Sequence, residues 1–291
     1  MAEFELHLEE ELFGLHRGLA SGVWRPEPYA VFYVQDPKLR KIHKASVRDR
    51  VLYQAVYRKL YAVFDRGFIH DSYASRNRKG THRGVERFAE FARKLTANYS
   101  KRGFALKCDI RKFFDGIDHE VLLALLARQI SDPKLFYLIR IIIGSFETAP
   151  GKGLPLGNVT SQLFANVYLN ELDQFVKHQL KAKYYIRYCD DFVILDASRE
   201  RLEAHIATLR DFLSNTLLLL LHPRKVEIRK ITSGVDFLGY VSLPHYRVLR
   251  TKTKRRMLRL ANERNLSSYL GLCKHANAFT LEQLLKNRFP S

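Results

Sequence analysis

Apolar and polar positions along this chain follow two periods, and the change from one to the other separates its predicted elements. Up to about residue 102 the pattern is mainly helical. A short helical stretch covers residues 6–19, and an amphipathic helix with Val51, Ala55, Leu60 and Val63 among its apolar positions follows residue 50. Residues 68–84, rich in Arg, Asn and Gly, read as a polar loop, and a second helix spans 85–99. From about residue 103 the order becomes strand, helix, helix, loop, helix, then two strands joined by a turn. Residues 104–109 read as a buried strand, 119–130 as a helix, 150–157 as a loop rich in Gly and Pro, and 160–180 as a long helix. Strands flank Asp190 and Asp191. A helix over 199–214 and strands near 217–221, 226–229 and 235–242 complete an α+β unit, after which the chain is helical and strongly basic.

The turn at Asp190-Asp191 carries the clearest chemistry. Tyr184-Tyr185-Ile186 precedes it and Phe192-Val193-Ile194-Leu195 follows, while Asp109 ends the apolar strand Leu106-Lys107-Cys108-Asp109. Adjacent carboxylates between buried strands incur desolvation and like-charge repulsion, which divalent cations relieve. Two metals about 3.5–4 Å apart on such carboxylates clamp the attacking and leaving oxygens of phosphoryl transfer. The bland alternative is an acidic turn with a strand-end Asp.

Composition narrows the partners. Of 291 residues, 46% are hydrophobic and 27% charged, as in a folded protein with a sizeable core. The 49 Lys and Arg against 30 Asp and Glu give a net charge of +19, pointing to nucleic acid first and an anionic membrane surface second. The longest apolar run, residues 121–127, is far short of the ~20 residues a spanning helix needs, so no membrane partner is expected. The acidic start, Met1-Ala2-Glu3-Phe4-Glu5, lacks a secretory signal. Cys108, Cys189 and Cys273 have no zinc-ligand or disulfide spacing, and a reducing cytoplasm fits.

Four segments in order resemble the reverse transcriptases, over about residues 30–270. Asp109-Ile110-Arg111-Lys112-Phe113-Phe114-Asp115 is similar to the first palm motif of the bacterial and group II intron enzymes. Tyr188-Cys189-Asp190-Asp191 resembles the YxDD box, Gly157-Asn158-Val159-Thr160-Ser161-Gln162 the intervening motif, and Phe237-Leu238-Gly239-Tyr240 the primer grip. The resemblance implies an α+β right-hand polymerase. Its fingers would lie in residues 1–102 with further elements around 130–160, its palm, an antiparallel sheet backed by helices, in 103–243, and its basic helical thumb in 244–291.

The implied activity is RNA-directed DNA polymerisation with two Mg²⁺ ions, or Mn²⁺ in their place. Asp109 and Asp190 would hold both ions, the Ile110 carbonyl would help one, and Asp191 would complete the acidic cluster. Phe114 stands at the steric-gate position that selects dNTPs; its alternative is a core aromatic, since either Phe113 or Phe114 must face inward. Arg40, with Lys38, fits the triphosphate-binding finger arginine, against a solvated basic strand. Lys225 matches the lysine that protonates pyrophosphate, against a plain surface lysine. Leu156, Gly157 and Gln162 would border the dNTP. Tyr73 and Arg76, in a basic loop, fall where the family's fingers meet the template, and residues 237–240 would hold the primer. The thumb helix, with Lys252, Arg255 and Arg256, would lie along the RNA–DNA hybrid; residues 247–264 hold eight Arg or Lys and one Glu.

Leu156 stands where the common motif has Gln, and Gln162 where it has Pro. That form resembles the reverse transcriptases of diversity-generating retroelements, which copy a template RNA with errors at adenines so that the cDNA diversifies a target gene. A bacterial, archaeal or phage source and a small basic oligomeric accessory protein are implied. The alternative is a compact group II-like, retron or defence-associated enzyme of ordinary fidelity. The residues after the basic thumb helix at 252–264 are too few for maturase, endonuclease or RNase H domains, so none is expected.

Overall fold

The computed structural model describes residues 2–35 and 39–289. In chain order the elements are α1 (Ala2–Leu6), α2 (Leu8–Ala20), β1 (Ala30–Gln35), β2 (Leu39–Lys44), α3 (Val47–Phe64), α4 (Thr81–Leu95), β3 (Phe104–Asp109), α5 (Phe113–Gly116), α6 (His119–Ala127), α7 (Pro133–Gly144) and α8 (Val159–Gln174). Then come β4 (Tyr184–Tyr188), β5 (Asp191–Asp196), α9 (Arg199–Thr216), β6 (Glu227–Lys230), β7 (Val235–Phe237), β8 (Tyr240–Leu243), β9 (Tyr246–Leu249), α10 (Thr251–Leu260), α11 (Leu266–Cys273) and α12 (Phe279–Arg288). The chain divides into two compact units: residues up to 69 with 110–173 and 211–220, and residues 70–109 with 174–210 and 221 onward.

The first unit is mainly helical. Ser46 caps α3 by accepting from the Asp49 amide, and the helix buries Leu52, Tyr53, Val56 and Leu60 at helical spacing. Asp118 and Asp132 cap α6 and α7 in the same way, with Pro133 in the first turn of α7. Helix α8 is buried over most of its surface, taking Thr160, Ser161, Asn166 and Asp173 inside along with Leu163, Phe164, Val167, Tyr168, Leu169 and Leu172. Strands β1 and β2 form an antiparallel hairpin.

The second unit is built on an antiparallel sheet in the order β4-β5-β3-β6. Four successive residues of β5, Phe192 to Leu195, are buried, because both faces of the sheet are covered. Phe88, Phe91 and Ala92 of α4 join Ala105, Ile186, Val193 and Phe237 in its core. A smaller sheet, β7-β8-β9, shares a second cluster with the C-terminal helices through Tyr240, Leu249, Met257, Cys273 and Leu285.

The sequence pattern misplaces four elements. Residues 217–221 form no strand: Leu217, Leu219 and Leu221 are buried while Leu218 and Leu220 are exposed, but Leu218 adopts φ +50 and the Leu219 amide turns back to the Leu213 carbonyl. The predicted helix at 85–99 begins at Thr81 and ends at Leu95, where Thr96 donates to the Ala92 carbonyl at 2.6 Å and accepts from the Tyr99 amide. The long helix stops at Gln174 and gives way to a π turn, Phe175–Gln179, that keeps Val176 buried. Residues 235–242 are two strands rather than one, broken by left-handed Leu238 and Gly239. No helix among the described residues is long and apolar enough to cross a membrane.

Candidate active site

The register of the larger sheet brings the three aspartates into one neighbourhood. Asp109 at the end of β3 stands opposite Asp191 at the start of β5, and Asp191 also pairs with Tyr188 of β4. Cys189 and Asp190 are therefore a two-residue turn. Cys189 has φ +56, a left-handed conformation that costs a non-glycine residue about 1–2 kcal/mol.

Crowding shifts the carboxyls. Burial, then the charge of Asp109, pushes the Asp190 carboxyl upward. Burial pushes Asp191 up to about 7; Lys107 opposes this, while Asp109 and Asp190 add to it. Two lysines offset the charge: Lys225 Nζ lies 2.7 Å from Asp109 Oδ2, and Lys107 Nζ lies 3.9 Å from Asp191 Oδ2. Lys225 is brought there by a turn in which the His222 amide donates to the Asp109 carbonyl at 2.7 Å and the Lys225 amide to the His222 carbonyl.

This donor set fits a divalent ion. Its ligands are hard carboxylate oxygens, and Asp191 Oδ1 is buried without a hydrogen-bond partner. Among the described residues no three acidic, His or Cys side chains already converge as a cage, and Lys225 engages one oxygen of Asp109, Oδ2.

Other predicted site residues in this unit divide by burial. Tyr73, expected at the template, is 3% exposed, with its hydroxyl donating to Asp71 Oδ1 at 3.2 Å, so its ring cannot stack on a base. Arg76 is partly exposed and folds back, donating to the Ser72 carbonyl at 3.2 Å. Phe237 and Tyr240 are core residues at 0% and 1% exposure; only Leu238 and Gly239 between them stand at the turn of the β7-β8 hairpin. Phe237 and Tyr240 therefore face the core, while Leu238 and Gly239 are partly exposed. On α10, Lys252 and Arg255 are exposed and Arg256 partly so.

In the first unit, Phe113 takes the core position at 2% exposure and leaves Phe114 half-buried, its carbonyl held by the Leu154 amide. Ile110 is buried. Arg40 is exposed on β2, and the next turn of that strand touches the intervening motif: the His43 amide donates to the Leu156 carbonyl at 3.0 Å. Gly157 is left-handed at φ +115, and a Cβ there would lie 2.9 Å from Ile42 Cγ2, so only glycine lets β2 approach this closely. Gln162 is exposed on α8. Lys38 lies outside the described residues.

Sequence reasoning overlooked Lys107, Ser72 and Arg187. Lys107 and Arg187 each offered a signal, a charged residue inside an otherwise apolar strand that leads to the aspartates.

Comparison with known proteins places this geometry. A family model described as reverse transcriptase (RNA-dependent DNA polymerase) matches residues 35–242. The chain is 27% identical over 278 residues to Protein YkfC of Escherichia coli (strain K12), covering 81% of this chain and 72% of that protein. It is 28% identical over 185 residues to the group II intron-encoded protein LtrA of Lactococcus lactis subsp. cremoris, covering 60% of this chain but only 30% of LtrA. Among solved structures, telomerase from Candida albicans in complex with a fragment of telomeric RNA has a TM-score of 0.60 at 12% identity, over 91% of this chain and 54% of that one. Apo telomerase from Candida tropicalis gives 0.56 at 11% identity, over 91% of this chain and 56% of that one. The family match spans most of the chain and includes the paired strands that carry Asp109, Asp190 and Asp191, so this protein belongs to the reverse transcriptase family, the RNA-directed DNA polymerases.

Proposed function

We propose that this reverse transcriptase copies RNA into DNA by a two-metal mechanism at Asp109, Asp190 and Asp191. The observation that carries the reading is the β3-β5 register, which sets Asp109 across from Asp191 with Asp190 in the adjoining turn. Asp109 and Asp190 hold the ions, with the Ile110 carbonyl assisting and Asp191 completing the cluster. When bound, the ions neutralise charge and align the attacking and leaving oxygens. The primer 3′-hydroxyl attacks the α-phosphorus of a dNTP, and pyrophosphate leaves.

The chain's own groups supply positioning and protons. Phe114, half-buried beside the core ring of Phe113, would be the bulky ring that excludes a ribose 2′-hydroxyl. Arg40 presents a planar guanidinium fork to the triphosphate. Lys225 leaves Asp109 and donates a proton to the pyrophosphate. The turn at Leu238-Gly239 supports the primer end, and the exposed cations of α10 follow the hybrid backbone. Fingers up to residue 102 with elements around 130–160, a palm over 103–243 and a thumb over 244–291 fit these roles.

Leu156 and Gln162 support the diversity-generating subtype. Leu156 offers no hydrogen bond to the nucleotide sugar, so the nascent base pair is held less tightly and errors concentrate at template adenines. That subtype brings with it a small basic oligomeric accessory protein. The similarity to LtrA favours the second reading, a compact group II-like enzyme of ordinary fidelity. Primer extension on a defined RNA template with Mg²⁺ and dNTPs, beside Asp190→Asn, tests both levels. Extension by the wild type alone supports the polymerase mechanism, and sequenced products with errors clustered at adenines support the subtype. Equal error rates opposite all four bases select the second reading. Extension by Asp190→Asn at the wild-type rate removes the assigned role of that carboxylate.

A further inference from the structure

Arg187 is buried at 0% exposure in the middle of the second unit. Burying a guanidinium is costly unless its donors are bonded, and an apolar residue would fill a strand interior at lower cost. Among its contacts, Nη2 donates to Ser72 Oγ at 3.1 Å and Nη1 to the Cys189 carbonyl at 3.2 Å. Cys189 is the left-handed residue of the catalytic turn, so one arm of the guanidinium holds the strained peptide that precedes Asp190.

The other arm rests on a fixed support. Residues 71–73 lie along β4 through a parallel bridge, with the Arg187 amide donating to the Asp71 carbonyl at 3.0 Å and the Tyr73 amide to the Arg187 carbonyl at 2.9 Å. Asp71 is in turn held by Arg87 of α4, whose Nε donates to Oδ1 at 2.8 Å, and Lys79 Nζ closes the loop onto the His70 carbonyl at 2.8 Å.

We propose that Arg187 is a positioning residue for the polymerase reaction: braced by Ser72, it holds the left-handed Cys189 turn in the conformation that presents Asp190 near Asp109. The inference rests on the polymerase reading above. The planar fork reaches its acceptors from two separate nitrogens, whereas all of a lysine's donors sit on one nitrogen and cannot span the same two positions, so lysine does not substitute.

Arg187→Lys and Ser72→Ala separate this role from simple packing. A misplacement of about 1 Å at a reacting group can cost roughly 100-fold, so Arg187→Lys should lower the single-turnover incorporation rate about 100-fold and Ser72→Ala about 10-fold, with hybrid affinity within about twofold of wild type. Hydrogen exchange of the peptide covering residues 188–192 reads the clamp without any catalysis, and both variants should exchange faster there. Unchanged exchange overturns the proposal even if the wild-type protein extends no primer, the separate result that would count against the polymerase reading. Wild-type incorporation rates in folded variants overturn it as well, as does an equal loss of rate and hybrid affinity, which would mark general loosening. If Arg187→Lys does not fold, Ser72→Ala decides by the same measurements.

Discussion

Phe113 and Phe114 show how one side chain's place decides its neighbour's use. Their rings meet edge to face at 5.3 Å, with Phe113 in the core and Phe114 half-buried. A ring left at the surface beside the first palm motif can exclude a sugar hydroxyl. Phe114→Ala should therefore lower the preference for dNTP over rNTP by on the order of 100-fold, the scale of a shape-based pocket. The ratio of kcat/KM for the two substrates measures this, and an unchanged ratio would assign sugar selection elsewhere. Lys225 illustrates the opposite case, a residue whose sequence reading left surface and catalytic roles open. Its 2.7 Å ion pair with Asp109 brings it to the acidic cluster.

At the scale of elements, α4 ties the larger sheet to the C-terminal helices. Its Phe88 and Phe91 pack in the sheet's core, while His82 in its first turn stacks on His275 at 3.6 Å and lies 3.4 Å from the Tyr240 hydroxyl. Burial lowers the His82 pKa, as do His275 and Arg247, while Glu86 opposes them. The folded state thus binds this proton less readily than the unfolded chain, whose His titrates near 6.5. The stability contributed by neutral His82 is present above about pH 6.5 and is lost as pH falls through the lower folded value. The urea midpoint should drop between about pH 7.5 and 5.5 by more in the wild type than in His82→Gln. Parallel curves for the two proteins would assign the acid sensitivity to other groups, of which His43 and His205 are similarly shifted by burial.

Across the whole molecule, +19 charges must find counter-ions or phosphates. Helix α10 buries Met257 and leaves Lys252 and Arg255 exposed on a helix without an acidic residue. If those two cations each meet a phosphate, replacing both with Gln should weaken RNA–DNA hybrid binding and reduce the slope of log K against log salt by about 2. Fluorescence anisotropy across a KCl series measures it, and an unaltered slope would remove α10 from the interface.

The sequence by itself determined the sites of the three aspartates, because a carboxylate pair between two largely apolar strand-like runs leaves few arrangements other than a hairpin turn. It also determined the basic character of α10, since composition carries it. Tertiary structure decided which ring of Phe113-Phe114 faces out, and that Tyr73, Phe237 and Tyr240 are core residues rather than ligand contacts. Those outcomes depend on what packs against each face, which a one-dimensional pattern does not contain. The same holds for residues 217–221, whose strand-like alternation of burial arises without a strand. Arg187 marks the boundary between the two: its charge in an apolar strand is visible in the sequence, but its partners Ser72 and Cys189 meet only when residues 71–73 and the β4-β5 turn come together around one guanidinium.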